Sequence, residues 1–180
     1  MHVVPRPGWY RPATPRTLGT LAVVFGVIVA SFNALTLLTG GRMQQDDDRY
    51  PAAAVEAFTA ATREAMIGSS LILVAMSLTL ATLGGALRRY ERWAVRASQR
   101  WAIGALFIVA ALTYVNAAVV GPAAAALFAS AKDEELAQMV TFMRWAGLGT
   151  ALIYAPFPLV LLSQLRRPEV IAAMDQPRRA

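Results

Sequence analysis

The 180-residue chain has no cysteine and a single histidine, His2. The first absence removes disulfides, thiol nucleophiles, zinc–cysteine sites and cysteine-held iron–sulfur clusters. The second removes haem held between helix histidines and any histidine general base beyond the first residues. Charge is scarce as well: only 16% of residues are Asp, Glu, Lys or Arg, and long stretches have none. Residues 17–39, 65–87 and 101–120 carry no charged side chain, and a fourth stretch, from 141 or 144 to 165, has only Arg144 at its edge. With no Asp, Glu, His, Lys or Cys there, acid–base and nucleophilic catalysis lack a carrier, and so does proton-coupled exchange. No catalytic site, metal site or cofactor is expected.

What fills the chain instead is apolar: 57% of residues are hydrophobic and the mean hydropathy is +0.47. Each of the four stretches reaches the roughly 20 helical residues needed to cross a hydrocarbon layer about 30 Å thick. A soluble bundle would need a polar outer stripe, whereas 71–87 offers only Ser, Thr and Gly as relief. The first stretch is longer than a signal-peptide core and no small-x-small site directly follows it, so it reads as a retained helix. The expected fold is an all-α integral membrane protein, a four-transmembrane-helix bundle with helices about 17–39, 52–88, 100–129 and 134–165. Tails 1–16 and 166–180 flank it.

The net charge of +6 is distributed by loop. The N-terminal tail, the segment 88–100 and the C-terminal tail hold twelve basic residues against three acidic ones; the other two loops hold five basic against eight acidic. Basic flanks stay on the cytoplasmic side during insertion, which predicts both termini inside. Alanine- and arginine-rich composition with short loops suggests a bacterial inner membrane. A basic chain can also be a nucleic-acid binder, but this distribution favours topology, and no nucleic-acid partner is expected.

The tail 1–16 contains four of the ten prolines and should be extended, with Trp9 and Tyr10 at headgroup level. Asp46, Asp47 and Asp48 lack the spacing and closing Glu of a calcium loop and read as a solvated turn. Helix two should begin outside the membrane, with Val55, Phe58, Thr62 and Met66 on one side. In "RRYERWAVRASQR", 88–100, a single helical wheel places Arg88, Arg89, Arg92, Arg96 and Arg100 on one face, with Tyr90, Trp93, Ala97 and Trp101 beside them. That suits an interfacial segment on anionic headgroups, formed by those five arginines with Trp93 and Trp101. Gly121 and Pro122 should end or kink helix three. Ser130 with Asp133 fits a cap for helix four, and Pro156 and Pro158 release the carbonyls of Leu152 and Tyr154.

The two hairpins also resemble each other. "REAMIGSSLIL" from Arg63 and "RWAGLGTALIY" from Arg144 agree at five of eleven positions, at an offset of 81, and "FNA" at 32–34 meets "VNA" at 115–117. Two readings stand open: composition alone, or two tandem parallel hairpins. Counting from the helix ends puts Asn33, Ser69, Asn116 and Thr150 at one depth, roughly 9 Å inside one boundary. Such a polar belt either joins helices, with Gly68, Gly147 and Gly149 allowing close approach, or lines a shallow cavity. The cavity would consist of Asn33, Ser69, Tyr114, Asn116, Thr150 and Tyr154, with Arg144 at its mouth either anchoring or attracting an anion. Two functions follow: a structural, assembly or accessory subunit of a membrane complex, or a small passive carrier or channel for an uncharged or anionic solute. Expected partners are the lipid bilayer with its anionic headgroups and either a membrane-protein partner or further copies in a homo-oligomer.

Overall fold

The computed structural model describes residues 14–39, 49–131 and 139–175, without the side chains at 143, 144, 146, 147, 173 and 175. All regular elements among these residues are helices. Helix α1 (Pro15–Leu38) starts cleanly because Thr14 is extended and its hydroxyl accepts from the Thr17 N–H at 3.2 Å. Pro15 takes the first helical position, where no N–H is needed.

Helix α2 (Ala52–Arg88) follows Pro51 and runs for 37 residues. At 1.5 Å per residue this is about 55 Å, longer than a hydrocarbon layer is thick. On its first turns Thr62 is fully buried, Val55, Phe58 and Met66 are half-buried, and Glu56 and Arg63 are exposed. It ends in a Schellman turn, with the Glu91 N–H bonding the Ala86 carbonyl and the Tyr90 N–H the Leu87 carbonyl. Tyr90 occupies the left-handed position of that turn, at φ 57°, where glycine is the usual residue.

The arginine run is therefore not one helix. Arg88 ends α2, Arg89–Glu91 form the turn, and α3 (Arg92–Val115) begins at Arg92, well before the expected residue 100. A single wheel fails here because the turn resets the helical phase. Arg92, Arg96 and Arg100 still share a face of α3, whereas Arg88 belongs to α2 and Arg89 to the turn.

α3 passes through one π turn (Asn116–Val120) into α4 (Gly121–Ala129). Pro122 has no N–H to give, so a regular ladder would orphan the Ala118 carbonyl; instead the Gly121 N–H reaches back five residues to the Asn116 carbonyl. The Gly-Pro pair neither ends nor breaks this helix but changes its register.

The fourth apolar stretch departs from the single helix expected over 134–165. It is built from α5 (Val140–Arg144), α6 (Ala146–Tyr154) and α7 (Pro156–Leu165). The second break falls where Pro156 and Pro158 remove the donors for Leu152 and Tyr154. The segment after Leu165, expected to be a tail, contains a further helix, α8 (Pro168–Asp175).

Four helical stretches are long and apolar enough to span a membrane: Pro15–Leu38, Ala52–Arg88, Arg92–Ala129 and Leu148–Leu165. Only 17–28% of the apolar window of each is buried within the chain. Phe32, Phe107 and Leu152 accordingly face outward at 65, 74 and 76% exposure. This outward apolar surface is the kind that hydrocarbon solvates and water does not.

Packing is unequal along the bundle. α1 and α2 form the closest pair, because glycines remove the side chains between them. A Cβ built on Gly19 would lie 2.5 Å from the Gly84 carbonyl oxygen; one on Gly84 would lie 2.7 Å from the Gly19 oxygen; one on Gly26 would lie 2.6 Å from the Ser77 oxygen. This is the small-residue contact by which apolar helices associate without a hydrophobic driving force. Of the glycines singled out from sequence, Gly68 and Gly149 do not serve it, since both face open space; Gly147 lies outside the described side chains.

The largest buried cluster joins Leu18, Ala22, Leu80, Leu87, Ala94 and Leu165 with Val170 and Met174 of α8. All come from the arginine-rich end. There Gln99 Nε2 donates to the Leu165 carbonyl at 3.0 Å, and further in Trp101 Nε1 donates to the Met76 carbonyl at 3.2 Å. A Phe25–Phe157 stack at 4.5 Å ties α1 to α7.

Candidate functional site

Away from that end the two hairpins separate around a cavity of about 330 Å³. α1 supplies Asn33 and Thr36, α2 supplies Ser69 and Ser70, α3 with its π turn supplies Asn116, and α6 supplies Thr150 and Tyr154. The polar belt read from sequence is therefore brought to one place: Asn33, Ser69, Asn116, Thr150 and Tyr154 all line the same space.

The chemistry of each group follows from its helix. Asn33 is 4% exposed and its Nδ2 donates to the Val29 carbonyl of its own helix at 2.9 Å. This local bond satisfies one donor without joining helices. Asn116, the first residue of the π turn, instead donates from Nδ2 to Thr150 Oγ1 at 2.8 Å. That bond crosses from α3 to α6 and fixes the level at which the two pack. The aligned residues of the two hairpins thus share a cavity but bond differently.

Tyr114 does not join them. It is 74% exposed and sits two residues from Asn116, about 200° around the helix, so the two cannot face the same way. On α3 the cavity takes Leu112, Asn116 and Val120, spaced by four. Thr36 and Ser70 were missed, although helical spacing places Thr36 three after Asn33 and Ser70 beside Ser69. Arg144 lies in α5 with its side chain outside the described residues, as are Trp9, Tyr10, Asp46, Asp47, Asp48 and Asp133. Ser130, read as part of a cap for the following helix, turns its hydroxyl back to the Leu127 carbonyl at 2.7 Å.

The interfacial set also divides. Arg88, Arg89, Arg92, Arg96, Arg100 and Trp93 are exposed, and Trp93 Nε1 donates to Glu91 Oε2 at 2.6 Å. Trp101 is half-buried, packed on the main cluster and bonded to the Met76 carbonyl of α2, so it braces the bundle. Arg88 has a second use, since its aliphatic stem lies over Gly19.

Amides and hydroxyls at this cavity can exchange hydrogen bonds with a neutral or anionic polar group, and its apolar walls can take a hydrocarbon portion. Among the described residues no three His, Cys, Asp or Glu side chains come together in a way that could hold a metal ion.

Fold and composition together define a class: an all-helical protein whose four apolar helices are compatible with an integral membrane protein. Compared with known proteins, the chain matches no family model, no curated protein and no solved structure.

Proposed function

We propose that the chain crosses a bacterial inner membrane four times, with both termini and the 88–100 segment cytoplasmic, and acts as a structural or assembly subunit of a membrane complex without catalysis of its own. The observation that carries this reading is how the interior polar groups are spent. Asn116 holds Thr150, Trp101 holds the Met76 carbonyl, Gln99 holds the Leu165 carbonyl and Asn33 holds its own helix. Polar side chains used as internal ties make a rigid body that presents its surface to neighbours. The arginine excess at one end supports the orientation.

Purification of the full chain in mild detergent tests the proposal. One membrane protein, or further copies of the chain, should accompany it at fixed stoichiometry through size exclusion. A lone monomer that conducts a solute in liposomes would refute it. Orientation is read separately with Arg96→Cys and Arg49→Cys, both at exposed positions. In intact cells an impermeant thiol reagent should label position 49 and spare position 96.

The cavity of about 330 Å³ favours a second reading, a passive carrier or channel for a small uncharged or anionic solute. Under it, Asn33→Leu with Asn116→Leu would abolish flux while the protein still inserts.

A further inference from the structure

A second concave feature, which unlike the first combines charge with apolar walls, lies at the arginine-rich end, between the first turns of α3 and the helix α8. It encloses about 860 Å³ and is lined by Arg92, Arg96 and Arg100 together with Trp93, Ile171 and Met174. Its two walls have different origins. The arginines recur every four residues from Arg92, so they form one row about 12 Å long on α3. α8 presents a split face: Val170 and Met174, four apart, are 2 and 4% exposed and lock the helix onto the main cluster, while Ile171 beside them stays 44% exposed.

Three observations fix the ligand chemistry. Arg96 and Arg100 are exposed and have no acidic partner among the described residues. The indole of Trp93 engages Glu91, the acid in the turn before the arginine row, and Glu169 of α8 is engaged as well. The remaining wall is apolar yet exposed, and it lies where the apolar helices α3 and α7 end. Guanidinium rows recognise phosphate through paired N–H donors, and an exposed apolar wall beside them suits a hydrocarbon chain. A soluble phosphate would use the first wall only.

We propose that this pocket is a binding site for an anionic phospholipid, its phosphate held by Arg96 and Arg100 and an acyl chain laid against Trp93, Ile171 and Met174. The proposal rests on the reading that this end of the bundle lies at a membrane surface. It adds that α8, rather than trailing into water, builds half of a lipid site.

The full chain, purified in detergent, is titrated with short-chain phosphatidylglycerol, with phosphatidylcholine and with inorganic phosphate, and bound species are counted by native mass spectrometry. Phosphatidylglycerol should bind in preference to phosphatidylcholine, and inorganic phosphate at equal concentration should not displace it. Arg96→Gln with Arg100→Gln should weaken phosphatidylglycerol about 25-fold, about fivefold per arginine; Arg96→Lys with Arg100→Lys should retain most of the binding. Ile171→Asn should weaken the lipid and leave phosphate binding unchanged. Equal binding of the two lipids, displacement by phosphate, or an unaffected glutamine variant would each overturn the proposal. If the glutamine variant does not fold, the lipid preference of the unaltered chain decides. Incorporation into nanodiscs, measured alongside, reports the membrane reading independently of headgroup choice.

Discussion

Replacing Gly19 by alanine adds one methyl group at the tightest point of the molecule. The new carbon would sit 2.5 Å from the Gly84 oxygen and 2.8 Å from the Arg88 nitrogen, both backbone atoms. Ordinary contact needs about 3.5 Å, so α1 and α2 must part locally by about 1 Å. Helix backbones do not yield that distance alone, and neighbouring contacts at Gly26 and Ser77 loosen with them. Overpacking of this kind costs about 1–3 kcal/mol, against which the better helix propensity of alanine returns up to about 1 kcal/mol. Gly104 gives the internal control, because nothing lies within 4 Å of a Cβ there. Gly104→Ala should be neutral or stabilising, and Gly19→Ala should fall about 2 kcal/mol below it, roughly 30-fold in the unfolding equilibrium. Detergent-driven unfolding followed by far-ultraviolet circular dichroism measures both. Equal stability of the two variants would refute the argument that α1 and α2 are held by backbone approach.

A double-mutant cycle of Asn116→Leu and Thr150→Val in the same assay should give a coupling of about 0.6–1.7 kcal/mol, and a value near zero would remove the tie between α3 and α6. Tyr90→Gly should raise stability by about 1 kcal/mol, because the left-handed backbone at φ 57° penalises a side chain; a loss would mean that the ring's contacts outweigh the strain. Trp101→Phe keeps the ring but deletes the donor to the Met76 carbonyl, so it should cost about 1 kcal/mol. Pro122→Ala restores an N–H and should convert the π turn to regular helix, rotating Asn116 relative to Val120; a disulfide between Asn116→Cys and Thr150→Cys should form faster in the parent than in that background.

The four long apolar helices were legible because a helix able to span hydrocarbon needs about 20 residues without charge, and both conditions are written directly in the chain. Depth was legible for the same reason: Asn116 and Thr150, placed at one level by counting from their helix ends, are bonded to each other. Azimuth was less so. Tyr114 was grouped with Asn116 by depth although helical geometry separates them, and the wheel over 88–100 crossed a turn that the sequence marks only by Tyr90, an unlikely residue for a left-handed position. α8 carried a signal that went unused, Pro168 and Glu169 at its start with Val170 and Met174 four apart. The packing glycines could not be told apart from the others, since which glycine meets a neighbour depends on how two helices face.

The uneven distribution of contacts has a mechanical side. α2 is held at both ends: near Leu87, Gly84 and Leu80 the main cluster gathers, and about 50 Å away along the axis Tyr50, just before its first turn, packs edge-on against Phe128 of α4 at 5.8 Å. Such an arrangement is a strut: a tilt of about 5° would carry one tip through about 4 Å, and the attachments at both ends oppose it. A load placed on either end is therefore passed along the helix axis to the other rather than absorbed where it falls.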